Sequence, residues 1–526
     1  MLKKIILSSI AATAIFYAQA QQVTLSWSPE SKNDVTYSGF VKGSSNELIK
    51  LCFEEDKDIS LFKSKSITPI MTSYNEKLAE VRSQSIYVTE NDVKFNKFLS
   101  IKENLFFFTN IYDKKSKSTT YYCQPIDIKT LKNNGENINL GTMQAFKKSE
   151  QSIVSYQLSE DSTKVLMMGL SPYSKVDVEK YFLSVHDQKM NKLWDKTIEL
   201  PYKDKDIVIF NQLVTNDGKV AVLIKHFDSG TEKEQIKKDG KKVPSYTTKL
   251  LLYSKDEVAP HEFSINIGDK FVHSLAIAKE KNNELFLFGL YQQKPEGNIN
   301  GYFLTNINTN TKSISSTNIN SFPTGLLEII KKDKQGSDSE KDGGLGLHFK
   351  FVKMETRENG DRDFLLEYRE KYYVSSKYGT YAIYKHGNII DINVKANGTN
   401  VITRIPKLQT SIENPNASSF KTMAYKDKLL LFYNDKDDNI EQDLGKKPKE
   451  TSLGTGGRKL LGSTADAFFT MAAIDAEGNL TRSVLMDKKQ SKFITAVNVS
   501  LPLEKNKLAL YAIRGTKDMI GLLEVK

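Results

Sequence analysis

A tyrosine-rich stretch between residues 364 and 388 is the densest concentration of side chains suited to recognition. The segment FLLEYREKYYVSSKYGTYAIYKHGN contains Glu367 and six tyrosines, among them Tyr372 and Tyr373. A tyrosine ring offers apolar area while its hydroxyl can form hydrogen bonds, so tyrosines interleaved with charges are typical of binding surfaces. The alternative is that half of these rings alternate inward on strands and belong to the core. RIPKLQTS and LLLFYNDKDDN follow this stretch and extend the region.

Motifs for catalysis or for cofactor binding do not occur in the sequence. The six histidines are isolated, there is no HExxH for zinc, and no GxSxG for a serine nucleophile. A glycine-rich stretch, LGTGGRKLLG, lacks the spacing of a phosphate-binding loop. Asp435, Asp437 and Asn439 have the alternate spacing of a calcium loop, but the glycine and glutamate that complete such a loop are missing. We therefore expect no metal, no cofactor and no assignable catalytic residue, although an enzyme assembled from distant residues is still open.

The two cysteines allow one disulfide or none. Cys52 and Cys123 both lie in apolar, strand-like contexts. An exported chain with an even cysteine count can form a disulfide between them. Two separately buried thiols are the alternative, because a free cysteine packs as a small hydrophobic residue.

The charge of the chain excludes one class of partner and leaves another open. The 75 basic and 64 acidic residues give a formal net charge of +11. Lysine supplies most of the excess and is scattered along the chain, which is typical of a solvated surface and not of a nucleic-acid-binding patch. We expect no nucleic-acid partner, whereas an acidic membrane surface or an acidic protein is compatible with this charge.

Two types of hairpin alternate along the whole chain and predict its fold. AFFTMAAIDAEGNLTRSVLMD (467–487) has an apolar strand, a turn rich in Asp, Gly and Asn, and a second strand, and PIMTSYNEKLAEV (69–81) is similar. Before each such hairpin comes a short polar turn and a strongly apolar strand, as in VTNDGKVAVLIKHFD. Each pair of hairpins makes a four-stranded unit whose continuous apolar strand is buried on both faces.

A series of such units predicts an all-β protein with a single β-propeller. We count about eight four-stranded blades, with seven as the alternative; a pair of β-sandwiches is the competing fold. The last unit ends one strand short, and VTLSW (23–27) has no local partner. Pairing of this N-terminal strand with the last blade would close the ring and bury Val23, Leu25 or Trp27. Polar insertions interrupt the pattern near 227–247, 321–347 and 434–464.

The N-terminal residues 1–20 have the features of a secretory signal peptide. Lys3 and Lys4 precede a short apolar run, and Ala18-Gln19-Ala20 fits cleavage before Gln21. A membrane anchor is the alternative, but the run is too short to cross a bilayer comfortably. No later run is long enough for a transmembrane helix, so residues 21–526 are expected to form an exported, soluble propeller domain.

Motifs around the tyrosine-rich stretch resemble exported proteins of Gram-negative Bacteroidota. The similar pattern is E-x-x-Y-Y, a strand with a DxxG-type turn, I-P-K-x-Q, and a strand ending F-x-Y-N-D. Here it is matched by Glu367 with Tyr372, then DINVKANG, IPKLQ (405–409) and FYND (432–435), about a seventh of the chain. Lys371 before the tyrosines departs from the pattern. The resemblance implies an exported, β-rich protein and carries no reaction with it.

This region gives the candidate binding residues and the expected function. The binding candidates are Glu367, Tyr372, Tyr373, Lys407, Gln409 and Asn434. We expect a noncatalytic propeller that binds another envelope protein, such as an outer-membrane protein or a type IX secretion component. The C-terminus resembles a final blade instead of a secretion-signal domain, which favours the periplasm over the cell surface or the medium. The alternatives are a polysaccharide- or peptide-cleaving enzyme and a small-ligand or glycan-binding module.

Overall fold

The computed structural model of the chain describes most of residues 23–526. The segments outside the described residues are 33–35, 45–46, 56–66, 87–92, 146–152, 174–175, 229–234, 239–240, 336–342, 377–378, 414, 454–466 and 487–491. The signal peptide expected at residues 1–20 also lies outside the described residues, so its cleavage before Gln21 stays a prediction.

Eight sheets with four or more strands follow one another along the chain, all antiparallel except for one parallel pair in the sixth, and we number them as blades 1 to 8. Blade 1 contains β3 (Thr36–Lys42), β4 (Leu48–Glu55), β5 (Ile67–Tyr74) and β6 (Glu80–Ser85). Blade 2 contains β7 (Val93–Ile101), β8 (Asn104–Asp113), β9 (Ser118–Asp127), the short β10 (Lys132–Asn133) and β11 (Ile138–Gln144). Blade 3 contains β12 (Ile153–Leu158), β13 (Lys164–Leu170), β14 (Val178–Asp187) and β15 (Lys192–Lys203).

Blades 4 to 7 repeat this arrangement and carry the additional elements. Blade 4 contains β16 (Ile207–Val214), β17 (Val220–Phe227), β20 (Tyr246–Tyr253) and β21 (His261–Ile265), with a separate hairpin of β18 (Gln235–Lys238) and β19 (Lys241–Pro244). Blade 5 contains β22 (Phe271–Lys281), β23 (Glu284–Gln292), β24 (Gly301–Asn308) and β25 (Ser313–Ser321). Blade 6 contains β26 (Phe349–Thr356), β27 (Arg362–Ser376), β28 (Gly379–Val394) and β29 (Asn400–Ile405), extended by β30 (Gln409–Ile412) and β33 (Thr451–Ser452). Blade 7 contains β31 (Lys421–Tyr425), β32 (Lys428–Asp435), β34 (Phe468–Ile474) and β35 (Leu480–Val484).

Blade 8 combines the two ends of the described chain. It contains β36 (Ile494–Thr495), β37 (Leu501–Glu504), β38 (Lys507–Arg514), β39 (Lys517–Val525), β1 (Val23–Trp27) and the two-residue β2 (Ser31–Lys32). β1 is antiparallel to β39, with Val23 opposite Val525 and Trp27 opposite Gly521. The predicted closure by the N-terminal strand is therefore confirmed.

Apolar clusters between successive blades show that the sheets form a ring. Each of the eight largest clusters joins two consecutive blades, and one of them joins blade 8 to blade 1. At that last junction the Tyr37 ring stacks on Tyr511 at 3.7 Å between centroids, and Lys50 pairs with Asp518 at 3.2 Å. The predicted all-β propeller with eight blades is confirmed, in place of the alternative with seven blades.

The second strand of each blade is apolar on both sides because it packs against two neighbours. In β17, Val220, Val222 and Ile224 join the cluster with blade 3. Ala221 and Leu223, which point the other way, join the cluster with blade 5. This alternation explains the continuous apolar runs seen in the sequence, since a strand with two buried faces needs no polar positions.

Tight turns connect the first strand to the second in the blades, and in most blades a turn also connects the third strand to the fourth; blade 8 differs because its fourth strand is β1. In the hairpin of β34 and β35, the Asp475 carboxylate accepts hydrogen bonds from the backbone N–H groups of Glu477 (3.0 Å) and Asn479 (2.8 Å). Gly478 has a φ of +85°, a conformation that glycine adopts without strain. The Asp-x-x-x-Asn pattern of these turns is therefore a local hydrogen-bonding motif.

The two faces of the propeller differ because successive strands run in opposite directions. All connections between second and third strands, and all connections between blades, lie on one face, which we call the insertion face. The opposite face, the turn face, carries only the tight turns just described. The three polar insertions are on the insertion face, with the β18–β19 hairpin, α1 (Thr324–Lys332), and α2 (Asp437–Ile440) with β33.

The cysteines and the helices settle two smaller expectations. Cys52 on β4 and Cys123 on β9 are free, buried thiols in different blades, so the possible disulfide between them is not formed. Burial raises the pKa of Cys52 to about 11 and that of Cys123 to about 12. Among the described residues, neither helix has the length and apolar character needed to cross a membrane.

Candidate functional site

The hairpin formed by β27 and β28 extends beyond the rest of its blade on the insertion face. β27 has 15 residues and β28 has 16, whereas the second strands of the other blades have between 7 and 10. The pairing continues from Arg369–His386 to Ser376–Gly379. We call residues 369–386 the tyrosine hairpin.

The tyrosines of this region divide between the core and the solvent. Tyr368 is buried and packs edge-on against Phe349, with 5.6 Å between ring centroids. On the tyrosine hairpin, Tyr372, Tyr373 and Val374 have exposed fractions of 40%, 65% and 45%. Successive side chains of a strand point to opposite faces, so Tyr372 and Val374 lie on one face of the hairpin and Tyr373 lies on the other. The core interpretation therefore holds for Tyr368, and a recognition role for the exposed tyrosines stays a prediction.

Glu367, Lys407 and Gln409 meet at the root of the tyrosine hairpin. The Lys407 Nζ donates hydrogen bonds to Glu367 Oε1 at 2.5 Å and to Gln409 Oε1 at 2.9 Å. All three residues have 0% exposure. They come from β27, from the segment before β30, and from β30 itself, so their contacts fix the tyrosine hairpin to its extra partner strand.

Blade 7 is tied to the same group of side chains. Ser419 Oγ donates to Glu367 Oε2 at 2.6 Å, and Gln409 Nε2 donates to the backbone carbonyl of Asn434 at 2.7 Å. The Asn434 amide in turn donates to the carbonyls of Ala417 (2.7 Å) and of Thr495 in blade 8 (2.8 Å). The root network, as we call Glu367, Lys407, Gln409, Ser419 and Asn434, therefore links three blades.

The electrostatics of the root network keep its carboxylate ionised. Burial alone would raise the pKa of Glu367, but the Lys407 ammonium and the Arg369 guanidinium outweigh it and hold the pKa at about 2. Burial lowers the pKa of the neighbouring His386 to about 4, so that imidazole is neutral at physiological pH. A buried ionised carboxylate that accepts several charged hydrogen bonds is stable only while all its partners are in place.

The six sequence-predicted binding residues therefore fall into two groups. Tyr372 and Tyr373 lie on the exposed hairpin. The other four are Glu367, Lys407, Gln409 and Asn434, which the structure brings together in the interior with at most 1% exposure. Their contacts give them a positioning role, and a direct binding role for them stays a prediction.

The root of the insertion at 434–464 explains the spacing that resembles a calcium loop. Asp435 is buried, and its Oδ1 accepts hydrogen bonds from Asn439 (2.6 Å) and Thr451 (3.1 Å). Burial raises the pKa of Asp435 to about 6. The carboxylate therefore serves to hold α2 and β33, and the described residues contain no group of three or more side chains arranged to bind a metal ion.

Exposed apolar side chains are concentrated on the insertion face. Of the 17 large apolar residues that are exposed among the described ones, 11 lie on this face or at its strand ends, and four (Val81, Leu193, Val258 and Ile314) lie at the turn face; Ile319 and Val484 are further along outermost strands. Those on the insertion face are Ile153, Tyr173, Val176, Val178, Val208, Ile236, Leu347, Tyr372, Tyr373, Val374 and Leu444. Six of them lie on blades 3 and 4, three lie on the tyrosine hairpin of blade 6, and Leu347 and Leu444 lie outside both groups.

A cavity between blades 4 and 5 is a feature that the sequence analysis missed. It has a volume of about 520 Å³, opens on the insertion face, and is lined by Lys225, His273, Gln235 and Gln292 among others. The Lys225 ammonium lies 4.2 Å from the ring centroid of Tyr246. The signal in the sequence was the lysine that interrupts the apolar run VAVLIKHF, since a buried lysine needs a specific reason.

Comparisons with known proteins give distant structural similarities. No protein-family model matches the chain, and no curated protein matches it. Among solved structures, it is similar to the WD40 domain of SCAP from fission yeast, with 7% identity, coverage of 96% of this chain and 94% of that one, and a TM-score of 0.37. It is also similar to the β-propeller domain of the Trilobed protease from Pyrococcus furiosus, with 9% identity, 71% and 94% coverage, and a TM-score of 0.32.

A third similarity involves a larger protein. Prolyl oligopeptidase B from Galerina marginata matches with 9% identity and a TM-score of 0.38, over 94% of this chain and 56% of that one. At such identities and TM-scores none of the three similarities bears on activity. The sheet order and the ring of apolar clusters define the class of this protein, which is an eight-bladed β-propeller closed by its N-terminal strand.

Proposed function

We propose that this chain is a noncatalytic, exported propeller that docks another envelope protein on its insertion face. The proposed location is the periplasm, and the proposed partner is a component of an outer-membrane complex such as a type IX secretion assembly. The observation that carries the docking proposal is the distribution of exposed apolar side chains, with 11 at the insertion face and four at the turn face. The envelope location rests on the signal-peptide features and on the resemblance to exported Bacteroidota proteins.

The tyrosine hairpin is the proposed centre of the docking surface. Tyrosine is enriched among the residues that dominate protein interfaces, because its large ring is ordered at little entropic cost. A rigid support improves binding, since less conformational freedom is lost on association. The root network supplies that support through Lys407, Glu367 and Gln409, which bond to one another below the exposed rings.

Site-specific photo-cross-linking tests this proposal. A photoreactive phenylalanine analogue replaces Tyr373 in the tagged chain, expressed in the organism that produces it, and cross-linked envelope proteins are identified by mass spectrometry. The matched control carries the analogue at Val258, which is fully exposed on the turn face. We expect one envelope protein to be cross-linked from position 373 and not from position 258.

A second measurement separates docking from incidental proximity. The triple variant Y372S/Y373S/V374S should lose the partner during purification from detergent-solubilised envelopes, whereas V258S should retain it. Equal retention by both variants, or identical cross-links from both positions, would mean that the insertion face is not the docking surface. Thermal melting of both variants should match that of the unaltered chain, because all four side chains are exposed.

A further inference from the structure

The innermost strands of the blades, which line the central channel, carry an excess of positive charge. These strands are β3, β7, β12, β16, β22, β26, β31, β36 and β37. Together they contain eight lysines and three glutamates, and no aspartate or arginine. Blades 3 and 4 contribute none of these charges, so the lysines come from the remaining sides of the ring.

The three glutamates of these strands are already compensated. Glu355 lies 2.5 Å from Lys353 and also accepts a hydrogen bond from Thr422, while Glu504 pairs with Lys507 at 3.3 Å. Burial raises the pKa of Glu280, and the neighbouring Asp217 and Asp161 raise it further. Glu355 and Glu504 are therefore paired with lysines, and Glu280 accepts a hydrogen bond from the backbone N–H of Asn283 at 3.1 Å.

Three channel lysines have no partner among the residues that the structure describes. Lys97 is in the middle of β7, Lys350 is the second residue of β26, and Lys421 is the first residue of β31. No carboxylate or carbonyl accepts a hydrogen bond from their ammonium groups within this part of the chain. Close to Lys350, the Nε2 atom of His273 is buried and also has no hydrogen-bond partner.

The surroundings of these lysines oppose their charge. Burial lowers the pKa of Lys97, and partial burial lowers that of Lys350, although the Lys350 side chain keeps contact with solvent. For Lys421, burial together with the nearby Lys353 lowers the pKa to about 8. A lysine in this situation gains when an anion approaches, because the anion replaces the hydration that the ammonium has lost.

We propose that the central channel is a binding site for an anionic ligand, whose carboxylate or phosphate groups are held by Lys97, Lys350 and Lys421. Lys350 and Lys421 come from the adjacent blades 6 and 7, whereas Lys97 comes from blade 2, on the opposite side of the ring. A ligand with several anionic groups can therefore engage Lys350 and Lys421 together, and Lys97 adds positive charge from across the channel. Lysine suits such a ligand because its ammonium is a flexible point charge that does not demand one planar geometry.

Isothermal titration calorimetry on the mature chain at low ionic strength tests the site. The probes are citrate, which carries carboxylates, and inorganic pyrophosphate, which carries phosphates. The test variant is K350Q/K421Q, and the matched control is K42Q/K281Q, which removes two exposed lysines from the turn-face ends of inner strands. We expect saturable binding of at least one probe, weakened by about tenfold or more in K350Q/K421Q, as expected from the loss of charged hydrogen bonds.

The result for the control variant distinguishes a specific anion-binding site in the channel from non-specific attraction of anions by the positively charged protein. Binding unaffected in K42Q/K281Q supports the channel site, and the probe that binds identifies the anionic group. The proposal is overturned if neither probe binds saturably, or if both double variants weaken binding equally, which would indicate only the overall positive charge.

A labelling experiment on the unaltered protein covers the case in which K350Q/K421Q fails to fold. Acetic anhydride at pH 8 should modify Lys421 faster than exposed lysines, because its lower pKa leaves more of the reactive neutral amine. A bound anion raises that pKa and shields the amine, so the probe that binds should slow acetylation at Lys421 by several-fold and leave Lys281 unchanged. Acetylation of Lys421 that is insensitive to both probes would contradict the proposal.

Discussion

Replacing Lys407 by methionine should destabilise the protein far more than any change on the exposed hairpin. The substitution keeps the length of the side chain but removes the ammonium that lies 2.5 Å from Glu367. The carboxylate, which has 0% exposure, then keeps only Arg369 and Ser419 as partners. Removing one partner of a buried ion pair typically costs about 3–5 kcal/mol.

The pH dependence of stability reports on Glu367 and all of its partners together. Glu367 has a pKa of about 2 in the folded protein, and an unfolded glutamate has a pKa of about 4.3. The difference corresponds to about 3 kcal/mol of stability, which is present above about pH 4.3 and is lost as the pH falls towards 2. In K407M the pKa of Glu367 should rise towards its unfolded value. The stability that the protein loses between pH 4.3 and pH 2 because Glu367 becomes protonated should therefore be smaller in K407M than in the unaltered chain.

Urea denaturation of a double-mutant cycle measures the coupling directly. The set comprises the unaltered chain, K407M, E367Q and K407M/E367Q, with Y372S as an exposed control on the same strand. We expect K407M to be the least stable, and the double variant to recover part of the loss because it contains no uncompensated charge. Y372S should change stability by no more than about 0.5 kcal/mol. Strictly additive effects, or a K407M variant as stable as the unaltered chain, would refute the idea that this ion pair supports the hairpin.

Three further predictions concern closure, a second buried carboxylate and the thiols. Deleting residues 21–28 should lower the melting temperature and the solubility, because half-buried Val23, Leu25 and Trp27 are lost and the edge of β39 is exposed. Deletion of residues 336–342 serves as the control. Equal melting temperatures of the two deletion variants would refute closure by β1. Burial and the neighbouring Asp363 hold the pKa of Asp391 well above its usual range. The folded protein should therefore lose stability as the pH rises above about 4. In urea titrations at pH 8, D391N should be more stable than the unaltered chain. Ellman's reagent should detect no thiol in the native protein and two after denaturation, since Cys52 and Cys123 are free and buried. Detection of no thiol in the denatured protein would contradict this.

The repeated architecture was accessible from the sequence because each blade is specified locally. The sequence of β17 is a continuous apolar run because its two faces pack on different blades. The turn after β34 is recognisable because Asp475 and Asn479, only four residues apart, are joined by a hydrogen bond. Ring closure could also be expected, because VTLSW lacked a local partner and the last unit lacked a strand. These features depend on neighbours in sequence or on a count of strands.

The arrangement of the site was less accessible because it depends on contacts between distant segments. Glu367, Lys407 and Asn434 were noticed as parts of motifs, but nothing in the sequence showed that they meet in the interior. A lysine at position 407 reads as a surface residue until its partner is known. The channel lysines were overlooked for a similar reason: scattered lysines become a group only when each strand is assigned to its place in its blade.

Closure of the ring by residues 23–27 has a consequence for how the chain reaches its native state. β1 is synthesised first, yet its partner β39 ends at Val525, so this pairing brings together residues separated by almost the whole chain. Such long-range pairings form slowly, because the entropy of the intervening loop is lost before the contact is made. Until β39 is available, β1 and the open side of blade 1 stay exposed to other chains. The pairing of β1 with β39 is thus the last step of ring closure. A nascent chain interrupted before residue 517 would remain an open ring whose two end blades expose unpaired surfaces to other chains.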